Sequence, residues 1–228
     1  PLEEALTNSV NTWFAQAGER VGAETLIEYM ERFGFEADPE VELPDDQKIA
    51  SGIYNSAGEL VGSGFDIARV AIGQGGEEGQ ILASPLQMAQ VAATVANGGT
   101  LMRPTLIQEV KDPDGRVTEE LDPEEQSEVM SEDTAGQLAS AMTSVVDEGT
   151  AAALADDLGG TTFAGKTGTA EIGDLSEGIN QPWFIGFAPA DDPQVAVAVT
   201  TQGCAGCFGG EVAGPMATAV MNDLLNGE

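Results

Sequence analysis

Apolar side chains recur at helical spacing in several blocks and alternate at strand spacing near the C-terminal end, so the pattern predicts helices and strands in one chain. Leu6, Val10, Trp13, Phe14 and Ala17 follow a helical period that Asn8-Ser9-Val10-Asn11 interrupts. Short polar side chains compete for backbone hydrogen bonds and favour caps and turns, so one short helix should end near Ser9 and another begin near Asn11. Leu26, Ile27, Met30 and Phe33 predict an amphipathic helix over 23–33, closed by Gly34. Ser84-Pro85 opens another, with serine at the N-cap and proline at the first position. Its body (Leu86, Met88, Ala89, Ala92, Ala93 and Val95) stops at Asn97-Gly98-Gly99, and its alanine-rich face predicts a central, closely packed helix. Residues 132–146 and 212–225 read as two more helices, the last expected to cover a sheet with Met216, Ala219, Val220 and Leu224.

Strands are predicted over 161–170, 183–189 and 195–201. The last two are joined by Ala190-Asp191-Asp192-Pro193 and should pair antiparallel. Segments 105–110 and 116–121 flank Asp112-Pro113-Asp114-Gly115, a β-hairpin outside the core. Residues 36–64 are acidic and rich in turn formers, which reads as a long surface excursion. At 228 residues this is one sizeable α/β domain or two small ones.

Charge narrows the partners. With 39 acidic against 8 basic residues the formal net charge is −31, so nucleic acid and anionic membrane surfaces are excluded and a solvated acidic surface is expected. There is no histidine, which removes Ser-His-Asp and Cys-His catalysis and most zinc sites. Acyl-transfer chemistry must then take lysine as its base. Cys204 and Cys207 form a CxxC pair whose residues leave two readings open, a structural disulfide in an oxidising compartment or two free thiols. No metal and no cofactor is implied. No signal peptide and no run of about 18 apolar residues is seen.

The densest chemistry lies at Gly165-Lys166-Thr167-Gly168-Thr169-Ala170. β-Branched and aromatic residues run into a lysine flanked by glycines, so the stretch reads as a strand with Lys166 and Gly168 on one face and Thr167 and Thr169 on the other. Such an edge can pair with an extended substrate. Residues 160–167 also match the phosphate-cradling pattern GxxxxGK[ST]. That motif needs a buried strand before the lysine and a helix after it. Here 151–157 looks helical and acidic and 169–178 is broken by Gly173 and Gly178, so the KTG strand motif of acyl-transfer sites fits better and nucleotide binding is not expected.

The chain resembles the transpeptidase domain of class B penicillin-binding proteins, of the penicillin-binding protein A and FtsI-like kind. Four stretches in order carry the likeness and span nearly the whole chain: Ser9-Val10-Asn11 with Thr12-Trp13-Phe14; Ile72-Gly73-Gln74-Gly75; Ser84 to Ala89 running to Gly99; and Lys166 to Glu171 with Trp183 to Pro189. The family uses SxxK, whose serine is the nucleophile, then SxN, then KTG or KSG. No serine stands three residues before a lysine here, since Asp45, Gln108 and Phe163 precede Lys48, Lys111 and Lys166 at that distance. The nucleophile is therefore expected upstream of residue 1, with the 228 residues forming the C-terminal portion of one transpeptidase domain.

By resemblance the fold is α/β (α+β), β-lactamase-like, an antiparallel sheet covered by helices and lacking its N-terminal part. Lys166 would hold charge beside Ser9, Ser9 would pass a proton to the leaving amine, and Asn11 would fix a substrate carbonyl. Thr167, Gly168 and Thr169 would line the substrate strand, the two threonines binding the terminal carboxylate and the Thr169 amide serving as an oxyanion donor. The implied partners are peptidoglycan stem peptides ending in D-Ala-D-Ala, β-lactams as covalent inhibitors of the complete enzyme, and cell-wall synthesis or division proteins. The implied location is outside the cytoplasmic membrane, tethered by an N-terminal segment not in this chain. Rival readings are a D,D-carboxypeptidase or β-lactamase-type hydrolase, and a non-catalytic penicillin-binding-like interaction module.

Overall fold

A computed structural model describes residues 1–76, 78–173 and 178–227. The frame is an antiparallel sheet in which β9 (Ile179–Ala188) pairs on one side with β8 (Ala164–Glu171) and on the other with β10 (Val195–Thr200) and the two-residue β11 (Cys204–Ala205). Ala164, Phe187 and Ala196 stand in register on one face and pack with Val95 and Met142 of α5 (Pro85–Ala96) and α6 (Glu132–Asp147). Phe184 and Val197 face the other way and pack with Ala213, Ala217 and Met221 of α7 (Gly209–Asn226). The predicted α/β architecture is thus present, with the sheet between helical layers.

The α7 surface corrects an expectation. Met216, Ala219, Val220 and Leu224 all face solvent, while Ala213, Gly214, Ala217 and Met221 are buried. Both stripes recur at helical spacing, and the small one wins because it admits closer approach: a Cβ on Gly214 would lie 2.5 Å from a Leu154 methyl.

At the N-terminal end α1 (Leu2–Thr7) and α2 (Asn11–Val21) are separated at Asn8-Ser9-Val10 as the polar interruption predicts. α3 (Ala23–Arg32) ends at Gly34, which has φ 86° and donates to the Glu31 carbonyl while Phe35 donates to Met30, a Schellman closure. Met30 and Phe35 join Ile53 and Val70 in a second core cluster. Ile53 corrects the surface-excursion reading of 36–64, because it is fully buried in β1 (Gly52–Tyr54). β1 pairs with β3 (Gly79–Leu82), which pairs with β2 (Gly75–Gly76). Strands this short carry no alternation to read.

The hairpin β5 (Glu109–Lys111) and β6 (Val117–Glu120) is exposed and outside the core as expected. β4 (Thr100–Met102) and β7 (Glu125–Glu128) form a further pair that the sequence reading missed. Residues 151–157 form only one 3-10 turn, Ala152–Leu154. β8 runs unbroken through Lys166 to Glu171, so no helix follows the lysine and the phosphate-loop geometry is absent. Part of the glycine-broken stretch after it, residues 174–177, lies outside the described residues.

Candidate active site

Ser9 is the first anomaly on the way to the site. It donates its N–H to the Leu6 carbonyl while Val10 donates to Ala5, so α1 closes with the same Schellman pattern as α3. At the left-handed position of that motif α3 has Gly34, whereas α1 has Ser9 with φ 51°. A non-glycine residue there costs about 1 kcal/mol or more and clusters at functional sites. The strained turn places the Ser9 side chain against β8, where Lys166 Nζ donates to Ser9 Oγ at 2.8 Å and to the Thr167 carbonyl at 2.8 Å.

Lys166 is largely buried, and desolvation lowers its pKa from 10.5 to about 8. That makes it a base poised near neutrality and in direct contact with a hydroxyl. Asn11 begins α2, whose N-cap is Val10, so its side chain is not used as a cap and lines the same cleft. The cleft, of about 880 Å³, has Ser9, Asn11 and Lys166 on one side and Thr167, Gly168 and Thr169 along β8. Every expected catalytic and substrate-strand residue therefore converges on one place.

β8 presents its free edge to this cleft. Thr169 pairs with Pro182 of β9, which has no N–H, so Thr169 directs its own N–H and carbonyl outward. Thr167 and Glu171 share that outward phase. Gln74 caps the far end, its Nε2 donating to the Thr169 carbonyl at 3.4 Å and its Oε1 accepting from the Glu171 N–H at 3.3 Å. The Thr169 N–H is left aimed at the cleft.

The opposite face of β8 meets the start of α7. Gly209 N–H donates to Thr169 Oγ1 at 3.3 Å, and a Cβ on Gly209 would lie 2.3 Å from the Gly168 carbonyl oxygen. Only glycine allows the helix to start this close, which brings its N-terminal amides and positive dipole end beside the Thr167 and Thr169 hydroxyls. Thr167 Oγ1 is held at 2.7 Å by Thr150 Oγ1, and the Thr150 N–H donates to the Thr7 carbonyl at 3.2 Å, tying α1 to the lysine strand. Thr150 and Gly209 were missed in the sequence, and Gln74 was noted without a role. The Gly209-Gly210 pair opening a helix was the one local signal available.

Cys204 and Cys207 are joined as a disulfide in the turn between β10 and α7, and the Cys207 carbonyl accepts from Asn180, another cleft residue. Among the described residues no cluster of metal-ligating side chains is present.

The family described as "Penicillin binding protein transpeptidase domain" matches residues 1–222. The chain belongs to this family. Stage V sporulation protein D of Bacillus subtilis is 36% identical to this transpeptidase-domain chain over 228 residues, covering 97% of the chain and 33% of that protein. Peptidoglycan D,D-transpeptidase PbpA of Mycobacterium tuberculosis is 34% identical over 231 residues, covering 100% of the chain and 44% of that protein. The crystal structure of PBPA from M. tuberculosis matches with a TM-score of 0.79 at 31% identity, over 98% of this chain and 48% of that one. Its penicillin G acyl-enzyme complex matches at 0.78 and 32% identity, again over 98% of this chain and 48% of that one. The transpeptidase-domain chain thus spans a third to a half of the length of these relatives.

Proposed function

We propose that these residues are the C-terminal portion of a D,D-transpeptidase domain that cross-links peptidoglycan stem peptides by serine acyl transfer. The contact that carries the reading is Lys166 Nζ to Ser9 Oγ at 2.8 Å, beside Asn11 and along the edge of β8. The nucleophilic serine comes from a part of the protein outside the 228 residues. Its Oγ bonds to the carbonyl carbon of the penultimate D-alanine, and the C–N bond to the terminal D-alanine breaks. Ser9, polarised by Lys166, delivers a proton to the leaving amine and is restored by the proton that the attacking hydroxyl gives up. The Thr169 N–H receives the developing oxyanion, and Asn11 orients the donor peptide. The terminal carboxylate docks on Thr167 and Thr169, where the α7 dipole favours negative charge. Attack by an amine of a second peptide then releases the serine.

Three surfaces support a missing partner segment from the same protein. Among the described residues β10 is an edge strand of valine and alanine, the α7 stripe of Met216, Val220 and Leu224 is exposed, and an open cavity of about 340 Å³ is lined by Ile81, Met88, Trp183 and Ile185. An exported location fits the Cys204–Cys207 disulfide. None of the described helices is long and apolar enough to cross a membrane.

The test is covalent labelling of the full-length protein by a fluorescent penicillin. Stoichiometric labelling that maps outside residues 1–228 and is lost on Lys166→Ala is the expected result. Labelling that persists in Lys166→Ala, or that maps to Ser9, would overturn the assignment of roles.

A further inference from the structure

The protein has 8 lysines and arginines against 39 acids, and they are not spread at random. Arg32, Lys48, Arg103, Lys111 and Arg116 are each held by a carboxylate within 4.0 Å. Among the described residues only Arg20, Arg69 and Lys166 stand outside such ion pairs. Two of the three, Arg69 and Lys166, line the same cleft. Arg20 lies away from the cleft, whereas Arg69 is an exposed cation without a carboxylate partner among the described residues, at the cleft wall, where its guanidinium is open to an arriving anion.

The base of Arg69 is fixed. It lies in the last turn of the short helix α4 (Ile67–Val70), and its carbonyl accepts from the N–H groups of Ile72 at 3.2 Å and Gln74 at 3.0 Å. Gln74 is in turn bonded to Thr169 and Glu171 of β8. On the other side α2 lies so close that a Cβ on Gly18 would sit 2.4 Å from the Ala71 Cβ. Arg69 is therefore carried on a single helical turn clamped between α2 and the substrate strand, with an exposed side chain at the cleft wall. Glu171 and Glu211 line the same cleft and repel an anion from their own positions, which confines negative charge to the neighbourhoods of Lys166 and Arg69.

We infer that Arg69 is a specificity-determining residue that binds a second carboxylate of the donor peptide, carried by the residue preceding its D-Ala-D-Ala. This rests on the proposed function and names which donor the site prefers. The guanidinium fork matches a carboxylate in two parallel hydrogen bonds, which lysine cannot reproduce.

The test uses the full-length protein and two synthetic donor peptides ending in D-Ala-D-Ala. In one the preceding residue carries a free side-chain carboxylate, and in the other that group is a carboxamide. For the unaltered protein kcat/KM for D-alanine release should favour the carboxylate by about tenfold, the scale of one charge-assisted pair at a partly exposed site. Arg69→Gln should bring the ratio to about one, and Arg69→Lys should leave it between the two. A ratio unchanged in Arg69→Gln, or near one in the unaltered protein, overturns the inference while leaving transpeptidation standing. Release from neither peptide by the unaltered protein removes the proposed function and this inference together.

Discussion

Lys166 should titrate near neutrality, and the chain offers an unusually clean way to see it. Only Lys48, Lys111 and Lys166 are lysines within the 228 residues, so these residues labelled with carbon-13 at the lysine ε position give three resonances. Burial lowers Lys166 from 10.5 to about 8. At pH 7 about one Lys166 in ten is then neutral, against about one in three thousand for an ordinary lysine. The same lowering is linked to stability. The unfolded chain holds the proton up to 10.5 and the folded chain releases it from about 8, so the cost of burying the cation is complete below pH 8 and disappears as pH rises through 10.5. At pH 7 that cost is about 3 kcal/mol, since each tenfold loss of proton affinity corresponds to about 1.4 kcal/mol. Relative to Lys166→Met, the unaltered protein should therefore gain stability between pH 7 and pH 10 by about 2 kcal/mol, a difference from which groups common to both proteins cancel. One resonance with a midpoint near 8, absent in Lys166→Met, is the expected spectrum. A spectrum with no resonance that titrates near 8 would refute the claim that burial tunes this lysine.

Ser9→Gly should be more stable than Ser9→Ala by about 1 kcal/mol in urea unfolding, because glycine alone relieves the left-handed backbone that Ser9 adopts. Both variants should lose penicillin acylation alike, and equal stabilities would show that the turn is unstrained. Gly209→Ala should destabilise by roughly 1–3 kcal/mol and slow acylation, since the new methyl must push α7 away from Gly168 and Trp183. A variant with unchanged thermal midpoint would show that α7 does not need this approach.

How far the sequence could be read depended on whether the signal was local. The break between α1 and α2 was visible because Asn8, Ser9 and Asn11 are poor helix-interior residues, and β8 because Thr161 to Thr169 has strand composition. The alternation that puts Lys166 opposite Thr167 followed from strand geometry alone. What Ser9 does with its backbone was not visible, because nothing local says that a serine occupies the place Gly34 fills in α3. Gln74 and Thr150 reach β8 across 95 and 17 residues, and a bond of that kind leaves no periodic trace. The buried Ile53 strand was hidden by its length. The α7 face was misread because two apolar stripes compete and only packing against Leu154 chooses between them.

The central claim is that Ser9 and Lys166 act as one proton-transfer unit, and a double-mutant cycle on the full-length protein tests it most directly. The quantity to measure is the second-order rate of acylation by penicillin G for Ser9→Ala, Lys166→Ala and the pair. Each single substitution should slow acylation by about a hundredfold or more, and the double variant should be no slower than the worse single one, because removing either end of the 2.8 Å contact already disables the other. Losses that multiply would mean the two side chains act independently, and the account of the site would be contradicted.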